Sequence, residues 1–360
     1  MIIGTFQVRQ LILLSGKNRL INFIGFKMNT ITSTCRFWFK NARPQALPQS
    51  VLPAILAVCL ASSYSGFSLP LGILGVAGVI MGHLGLNLFD DYFDFKKKKS
   101  DYRDAMVHEG FRARIGKCTY LTNGATTLRN LFYACCIFSG LAILAGIIIL
   151  YFRGIGIFYL MILTAILSIS YSGMPLRFSY HGLGEILIGI VFGPLTMIGT
   201  FYAACGIFDA MIVMVSIPIG LLVANIVYVH SILDFEPDKK IGKRTLAVLL
   251  NNKYMMLAVL SVILFMPYII ISYAILREYI NEYYLLLFIT LPMAVSLFRM
   301  MVKYTHNPHY VFSPRFWMGP MSNWTRIETA GIDWFMIRWY LARNLLSAFC
   351  FIIMLLSFIA

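Results

Sequence analysis

Nine apolar runs of membrane-crossing length recur between about residue 50 and the C-terminus, and they fix the solvent in which this chain folds. Hydrocarbon about 30 Å thick asks for roughly 20 helical residues per crossing. The runs lie near 50–69, 71–90, 128–150, 155–172, 183–204, 209–231, 254–276, 283–300 and 339–359. With 59% hydrophobic and 12% charged residues and a mean hydropathy of +0.77, the chain reads as an all-α, polytopic membrane protein of about nine transmembrane helices.

The charges are distributed unevenly across these spans. Of the 30 Lys and Arg, only Arg153 and Arg277 fall on one side, which predicts a cytoplasmic N-terminus and an outer C-terminus. The acids share that bias, which the orientation rule does not require: of 15, only Asp209, Glu278 and Glu282 lie outside. Both signs of charge on one face point to a site. The net charge of +15 is therefore read as suited to lipid headgroups and a polyanionic substrate, with no nucleic-acid partner.

The scarce acids gather in two clusters, NLFDDYFDF at 87–95 and DFEPDKK at 234–240, each closing an apolar run and each leading into basic residues. If the second span stays helical through the first cluster, Asn87, Asp91 and Asp94 fall at i, i+4 and i+7 on one face, with Asp90 on the adjoining edge. Crowded carboxylates at a membrane-buried helix end repel one another unless a cation holds them, and hard divalent cations take oxygen ligands. The competing reading is a solvated helix end that stops the span. In the second cluster Asp234 and Asp238 are again i and i+4, with Pro237 predicting a bent helix end. Lys239, Lys240, Lys243 and Arg244 follow as donors for diphosphate oxygens, although an ordinary charged loop has the same composition.

RPQALPQSVLP at 43–53, NLFDDYFDF, YSGMPLRFSYHGLGE at 171–185, FGPLTMIGTFY at 192–202 and DFEPDKKIGKRTLAVLL at 234–250 together resemble the UbiA superfamily of intramembrane aromatic prenyltransferases. Within it the match is to the 1,4-dihydroxy-2-naphthoate polyprenyltransferases of menaquinone synthesis. The resemblance runs from about residue 38 to 300 and sets 1–37 apart as an extension from a domain over 38–360. It implies helices around a central cavity, with Mg2+ and the diphosphate of a polyprenyl donor held by the aspartate motifs. Asn87, Asp91 and Asp94 would form one metal site and Asp234 and Asp238 the other. Lys239, Lys243 and Arg244 would bind the leaving group, with Tyr171 and Arg43 near the reacting centre. The acceptor would be aromatic, and the expected setting is a bacterial cell membrane with the site facing the cytoplasm. Other acceptors known to the family are homogentisate, 4-hydroxybenzoate, haem and glycerol phosphate.

Two departures bear on the acceptor. The naphthoate pattern has Asn where this chain has Asp90, and it precedes the second motif with Asn-Asn-x-Arg where this chain reads His230, Ser231, Ile232 and Leu233. A transporter is the reading from another class, but the span centres are nearly free of charge, and a path across the bilayer places polar groups near the midplane. Nine apolar spans argue against a soluble isoprenoid synthase.

Several features are assigned to structure. The seven cysteines form no C-x-x-C pair and read as packing residues. His83 and His230, each one turn before a motif, read as buried histidines or as supports for it. Gly182, Gly184, Gly189, Gly193 and Gly199 suit close helix approach. Residues 1–27 read as an upstream extension or interfacial helix ahead of Met28. The basic stretch from Lys96 to Arg129 is expected to cap the site or bind lipid, with Asp101 and Asp104 as possible ligands; a solvated loop fits equally. The region 301–338, with Trp317, Trp324 and Trp334, suits the membrane interface.

Overall fold

A computed structural model describes residues 32–96, 118–173, 175–240, 242–308, 310 and 312–359. The extension over 1–27, Met28, and Asp101 and Asp104 lie outside the described residues. The chain divides into two compact units, Met1–Pro44 and Gln45–Ala360. In the first, α1 spans residues 32–41, and Asn41 donates its side-chain amide to the Phe37 carbonyl at 2.9 Å.

The second unit carries the spans. Among the described residues eight helices are long and apolar enough to cross a membrane, and Pro48–Ala61 is a shorter apolar helix. The chain is thus an all-α integral membrane protein. In order these are α2 (Pro48–Ala61), α3 (Leu69–Lys96), α5 (Leu128–Arg153) after the one-turn α4 (Thr119–Thr122), and α6 (Ile155–Ser172). Then come α7 (Gly184–Ile190), which continues through a wide turn into α8 (Thr196–Cys205), and α9 (Ala210–Leu233). The short α10 (Phe235–Lys240) and α11 (Leu246–Leu250) lead to α12 (Lys253–Leu276). A 3-10 segment (Glu282–Thr290) runs into α13 (Leu291–His306), and α14 (Trp324–Thr329) precedes α15 (Asp333–Leu356). The first span is shorter than its apolar run predicts, because the chain leaves the helix at Ser62.

Side chains that accept from the first free N–H groups set several of these starts. Thr127 accepts from Asn130 N ahead of α5, Asp209 from Met211 N ahead of α9, and Asn252 from Tyr254 N and Met255 N ahead of α12. At the opposite end from the aspartates, Arg153 donates to the carbonyls of Ala203, Ala204 and Gly66, closing the ends of α5 and α8 together.

Packing places α9 in the middle. It lies against α7, α12 and α15, and Ile212, Val215, Ile219, Leu222 and Val223 are all fully buried. Where α7 meets α9, glycines do the fitting. A Cβ on Gly193 would stand 2.2 Å from the Gly220 Cα, and one on Gly189 would stand 2.8 Å from the Gly220 carbonyl oxygen. Gly199 behaves otherwise: a Cβ there meets nothing within 4 Å.

Pro194 shapes the same span. It has no N–H to give and its ring crowds the carbonyl four residues back, so the helix widens into a π turn over Val191–Leu195. The Thr196 hydroxyl donates to the Val191 carbonyl at 2.7 Å inside the widened turn.

A cavity of about 420 Å3 lies between α3, α5, α6 and α8. Its wall is apolar: Gly75, Gly78 and Gly82 on α3 face it together with Phe192 and Gly199, and Ile149, Ile157 and Ala203 line it where they form a small buried cluster of their own.

These contacts separate two glycines of one helix. Gly193→Ala forces backbone apart and is expected to cost about 1–3 kcal/mol or more, whereas Gly199→Ala leaves stability unchanged; thermal unfolding of the two variants in detergent checks the contrast.

Candidate active site

The first aspartate cluster occupies the last two turns of α3, which stays helical to Lys96, so Asn87, Asp91 and Asp94 do share a face. Asp91 and Asp94 are 2% and 4% exposed. Burial of this kind is tolerated only when donors replace water. Tyr120, on α4, donates its hydroxyl to Asp91 Oδ2 at 2.9 Å. Tyr180 donates to Asp94 Oδ1, and Ser172, at the end of α6, to Asp90 Oδ1 at 2.7 Å. Asp90, where the sequence departs from the naphthoate pattern, thus has a specific partner.

The second cluster sits where α9 ends. Asp234 caps that helix and Asp238 lies in α10, so the bend predicted from Pro237 is present. Asp234 and Asp238 are 4% and 2% exposed. His230 Nε2 stands 3.7 Å from Asp234 Oδ2, and Lys243 Nζ is 3.9 Å from Asp238 Oδ2. The Lys243 N–H also donates to the Asp238 carbonyl at 2.9 Å, folding the basic segment back onto the aspartate.

The segment 171–180 joins the two clusters. Ser172 and Tyr180 hold the first, while Tyr171 and Ser179 line a small polar pocket with Asp238, His230, Ser231 and Lys243 of the second. Arg177 stacks its guanidinium 4.4 Å from the centre of the Tyr180 ring, beside Asp94's donor. Lys239 is exposed and donates to Asn251 Oδ1 at 3.0 Å; Arg244 is exposed. Arg43 belongs to the first unit, with a left-handed backbone at φ 60.

Glu185 is a further buried carboxylate of that pocket, and its Oε1 accepts from the Leu246 N–H at 3.2 Å, pinning α11 and the basic loop before it to the start of α7. His83 lines the apolar cavity, with Nδ1 2.6 Å from Ser50 Oγ and its ring stacked on Phe192 at 4.4 Å. It is the buried, hydrogen-bonded histidine anticipated for that position.

Tyr120, Ser172, Tyr180, Arg177 and Glu185 were not singled out from sequence. Four of them stand inside or beside quoted motifs, but a hydroxyl's partner on another helix has no local signal. Tyr120 lies within the basic stretch from Lys96 to Arg129 and carried no signal of its own.

Among the described residues no three His, Cys, Asp or Glu side chains gather into a ready-made metal site. Each cluster offers carboxylates two or three at a time along a helix. Magnesium is usually held by one or two carboxylates together with substrate phosphates, so this donor set fits a hard cation that arrives with a diphosphate.

The model of the UbiA prenyltransferase family matches residues 50–318. The 1,4-dihydroxy-2-naphthoate octaprenyltransferase of Bacillus subtilis (strain 168) is 29% identical over 217 residues, covering 59% of this chain and 65% of the relative, just under two thirds of its length. UbiA prenyltransferase domain-containing protein 1 of Mus musculus is 29% identical over 273 residues, covering 74% of this chain and 75% of that one. Among solved structures, digeranylgeranylglyceryl phosphate synthase superposes with a TM-score of 0.59 at 14% identity over 91% of this chain and 98% of that chain. A UbiA homolog from Archaeoglobus fulgidus, solved with DMAPP and Mg2+, gives 0.55 at 16% identity over 88% and 98%.

Tyr120→Phe and Tyr180→Phe each withdraw a hydroxyl from a buried aspartate. Each is expected to cost about 1.5–3 kcal/mol of stability, seen as a lower thermal midpoint, with the fold retained by circular dichroism.

Proposed function

The chain belongs to the UbiA prenyltransferase family, and we propose on that premise that it transfers a polyprenyl group from polyprenyl diphosphate to 1,4-dihydroxy-2-naphthoate, releasing diphosphate and carbon dioxide. The observation that supports the reading is that Ser172 and Tyr180 donate to the first aspartate cluster while their neighbours Tyr171 and Ser179 line the pocket that holds Asp238 of the second. The domain responsible is 38–360.

Asn87, Asp91 and Asp94 would hold one Mg2+ and Asp234 and Asp238 another. Bound there, the cations would neutralise the charge that builds on the departing diphosphate. Lys243 and Arg244, with Lys239, meet phosphate oxygens as charge-assisted donors, and Arg177 joins them from the first cluster. Tyr171 borders the reacting carbon. The cavity beside α3 takes the start of the prenyl tail, excluding water from an allylic carbon as it becomes cation-like. The electron-rich ring attacks that carbon, a carbon–carbon bond forms, and the ring carboxylate leaves.

The named naphthoate relative supports this acceptor. The animal relatives, named only by their domain and matched over more of the chain, favour as the second reading another acceptor: homogentisate, 4-hydroxybenzoate, haem or glycerol phosphate. The charge bias supports a site on the cytoplasmic face, and we place the protein in a bacterial cell membrane.

Purified protein in detergent, given polyprenyl diphosphate, Mg2+ and each acceptor in turn, tests the reading. A demethylmenaquinone-like product that disappears with chelator is expected from the naphthoate. Product only with another acceptor moves the assignment, and no diphosphate release with any acceptor defeats it. Asp91→Asn and Asp234→Asn are expected to lower turnover by at least about 100-fold while membrane insertion persists. Gly199→Phe, projecting into the cavity, is expected to shorten the longest donor accepted, read by mass spectrometry of products.

A further inference from the structure

The second aspartate motif contains a backbone defect, and a residue far along the chain repairs it. In a continuous helix the Leu233 carbonyl accepts from the N–H of residue 237, but residue 237 is proline and has no N–H. The helix ends at Leu233 and resumes at Phe235, with the Asp238 N–H donating to the Asp234 carbonyl at 2.8 Å. The Leu233 carbonyl itself takes the Tyr304 hydroxyl, from the last turn of α13, at 3.1 Å.

Tyr304 is held in turn. Trp334 lies parallel to its ring, 5.9 Å between centres and 2° between planes. The guanidinium of Arg338, a residue with 0% exposure, sits 5.3 Å from the ring centre. Arg338 is fixed by carbonyls from three segments: Met300 on α13 at 3.2 Å, Tyr310 at 3.1 Å and Trp334. Burying an arginine is costly unless its donors are met, and these are met by backbone that moves only if the segments move. Beside it, Phe335 meets the His230 ring edge-on at 5.3 Å, and His230 faces Asp234.

We propose that Tyr304 is a positioning residue for the second aspartate pair: its hydroxyl gives the Leu233 carbonyl the hydrogen bond that Pro237 withholds, and Arg338 holds that hydroxyl in register. The break between Leu233 and Phe235 sets the angle between Asp234 on one helix end and Asp238 on the next. A donor at Leu233 fixes the break, and the C-terminal helix thereby governs the geometry of the second pair. This rests on the reading of Asp234 and Asp238 as diphosphate and metal ligands.

The test is direct binding of Mn2+ in the presence of inorganic diphosphate, measured on the full-length protein in detergent by the loss of the free-manganese electron paramagnetic resonance signal. Tyr304→Phe keeps the ring and its stacking, removes the donor, and is expected to weaken binding about tenfold, the scale of one lost hydrogen bond. Pro237→Ala placed in that variant restores an N–H four residues from Leu233 and is expected to return binding to within about threefold of the parent. A merely structural tyrosine would lower the thermal midpoint without this rescue. Tyr304→Phe binding as the parent does, or a double variant no better than Tyr304→Phe, overturns the proposal. If Tyr304→Phe does not survive purification, Trp334→Leu frees the same hydroxyl and is expected to weaken binding in the same direction; unchanged binding there overturns it equally. A parent that does not bind Mn2+ with diphosphate overturns the ligand reading beneath it.

Discussion

The structure depends on burying carboxylates at the level of a membrane. Asp91, Asp94, Asp234 and Asp238 are all nearly inaccessible, and an ionised group stripped of water costs several kcal/mol unless donors replace the solvent. The chain meets that demand with hydroxyls and bases from elsewhere: Tyr120, Ser172 and Tyr180 around the first cluster, His230 and Lys243 around the second. A hydroxyl satisfies a lone pair without cancelling the charge. The first cluster therefore keeps its carboxylate oxygens hydrogen-bonded away from water, and oxygen is the donor atom that hard cations take.

From that constraint the rest of the architecture follows. The aspartates must stand at helix ends, so α3 runs on to Lys96 and α9 stops at Leu233. Their partners must come from neighbouring elements, so the turn after α6 is drawn in between them. Glu185 ties the basic loop to α7 through Leu246. The apolar cavity next to α3 is lined by Gly75, Gly78 and Gly82, where a Cβ would meet α8 or α5 at 3.4, 3.3 and 3.7 Å respectively, so these glycines set how closely those helices approach around it.

Much of this was legible in the sequence. Hydropathy located every span, but the first apolar run outlasts its helix, and the helices that end at Lys96 and His306 and the one that starts at Asp333 run well past their apolar runs, because charged and polar residues continue them. The i, i+4, i+7 spacing placed Asn87, Asp91 and Asp94 on one face, and Pro237 announced the broken helix. What escaped was everything that depends on a partner distant in sequence. Tyr120 and Tyr180 look like two of 20 tyrosines, and nothing in the aromatic region after residue 300 announced that Trp334 stacks on Tyr304. The glycines of the fifth span were read as one set, yet Gly189 and Gly193 serve a helix crossing and Gly199 faces open space. Periodicity tells which face a residue occupies; only the assembled neighbours tell whether that face meets a helix or a void.

The π turn over Val191–Leu195 gives the fifth span a memory of its own numbering. Upstream of it, Gly189 must meet Gly220 on α9; downstream, Thr196, Gly199 and Thr200 must look into the cavity. One residue corresponds to about 100° of helix rotation, so inserting a single residue beyond the one the wide turn already absorbs would swing one half of the span away from its partner while keeping the other in place. Bilayer thickness would tolerate that lengthening of roughly 1.5 Å, but the angular phase between crossing and cavity would not. The register of this helix is thus set by a phase relation between its two ends.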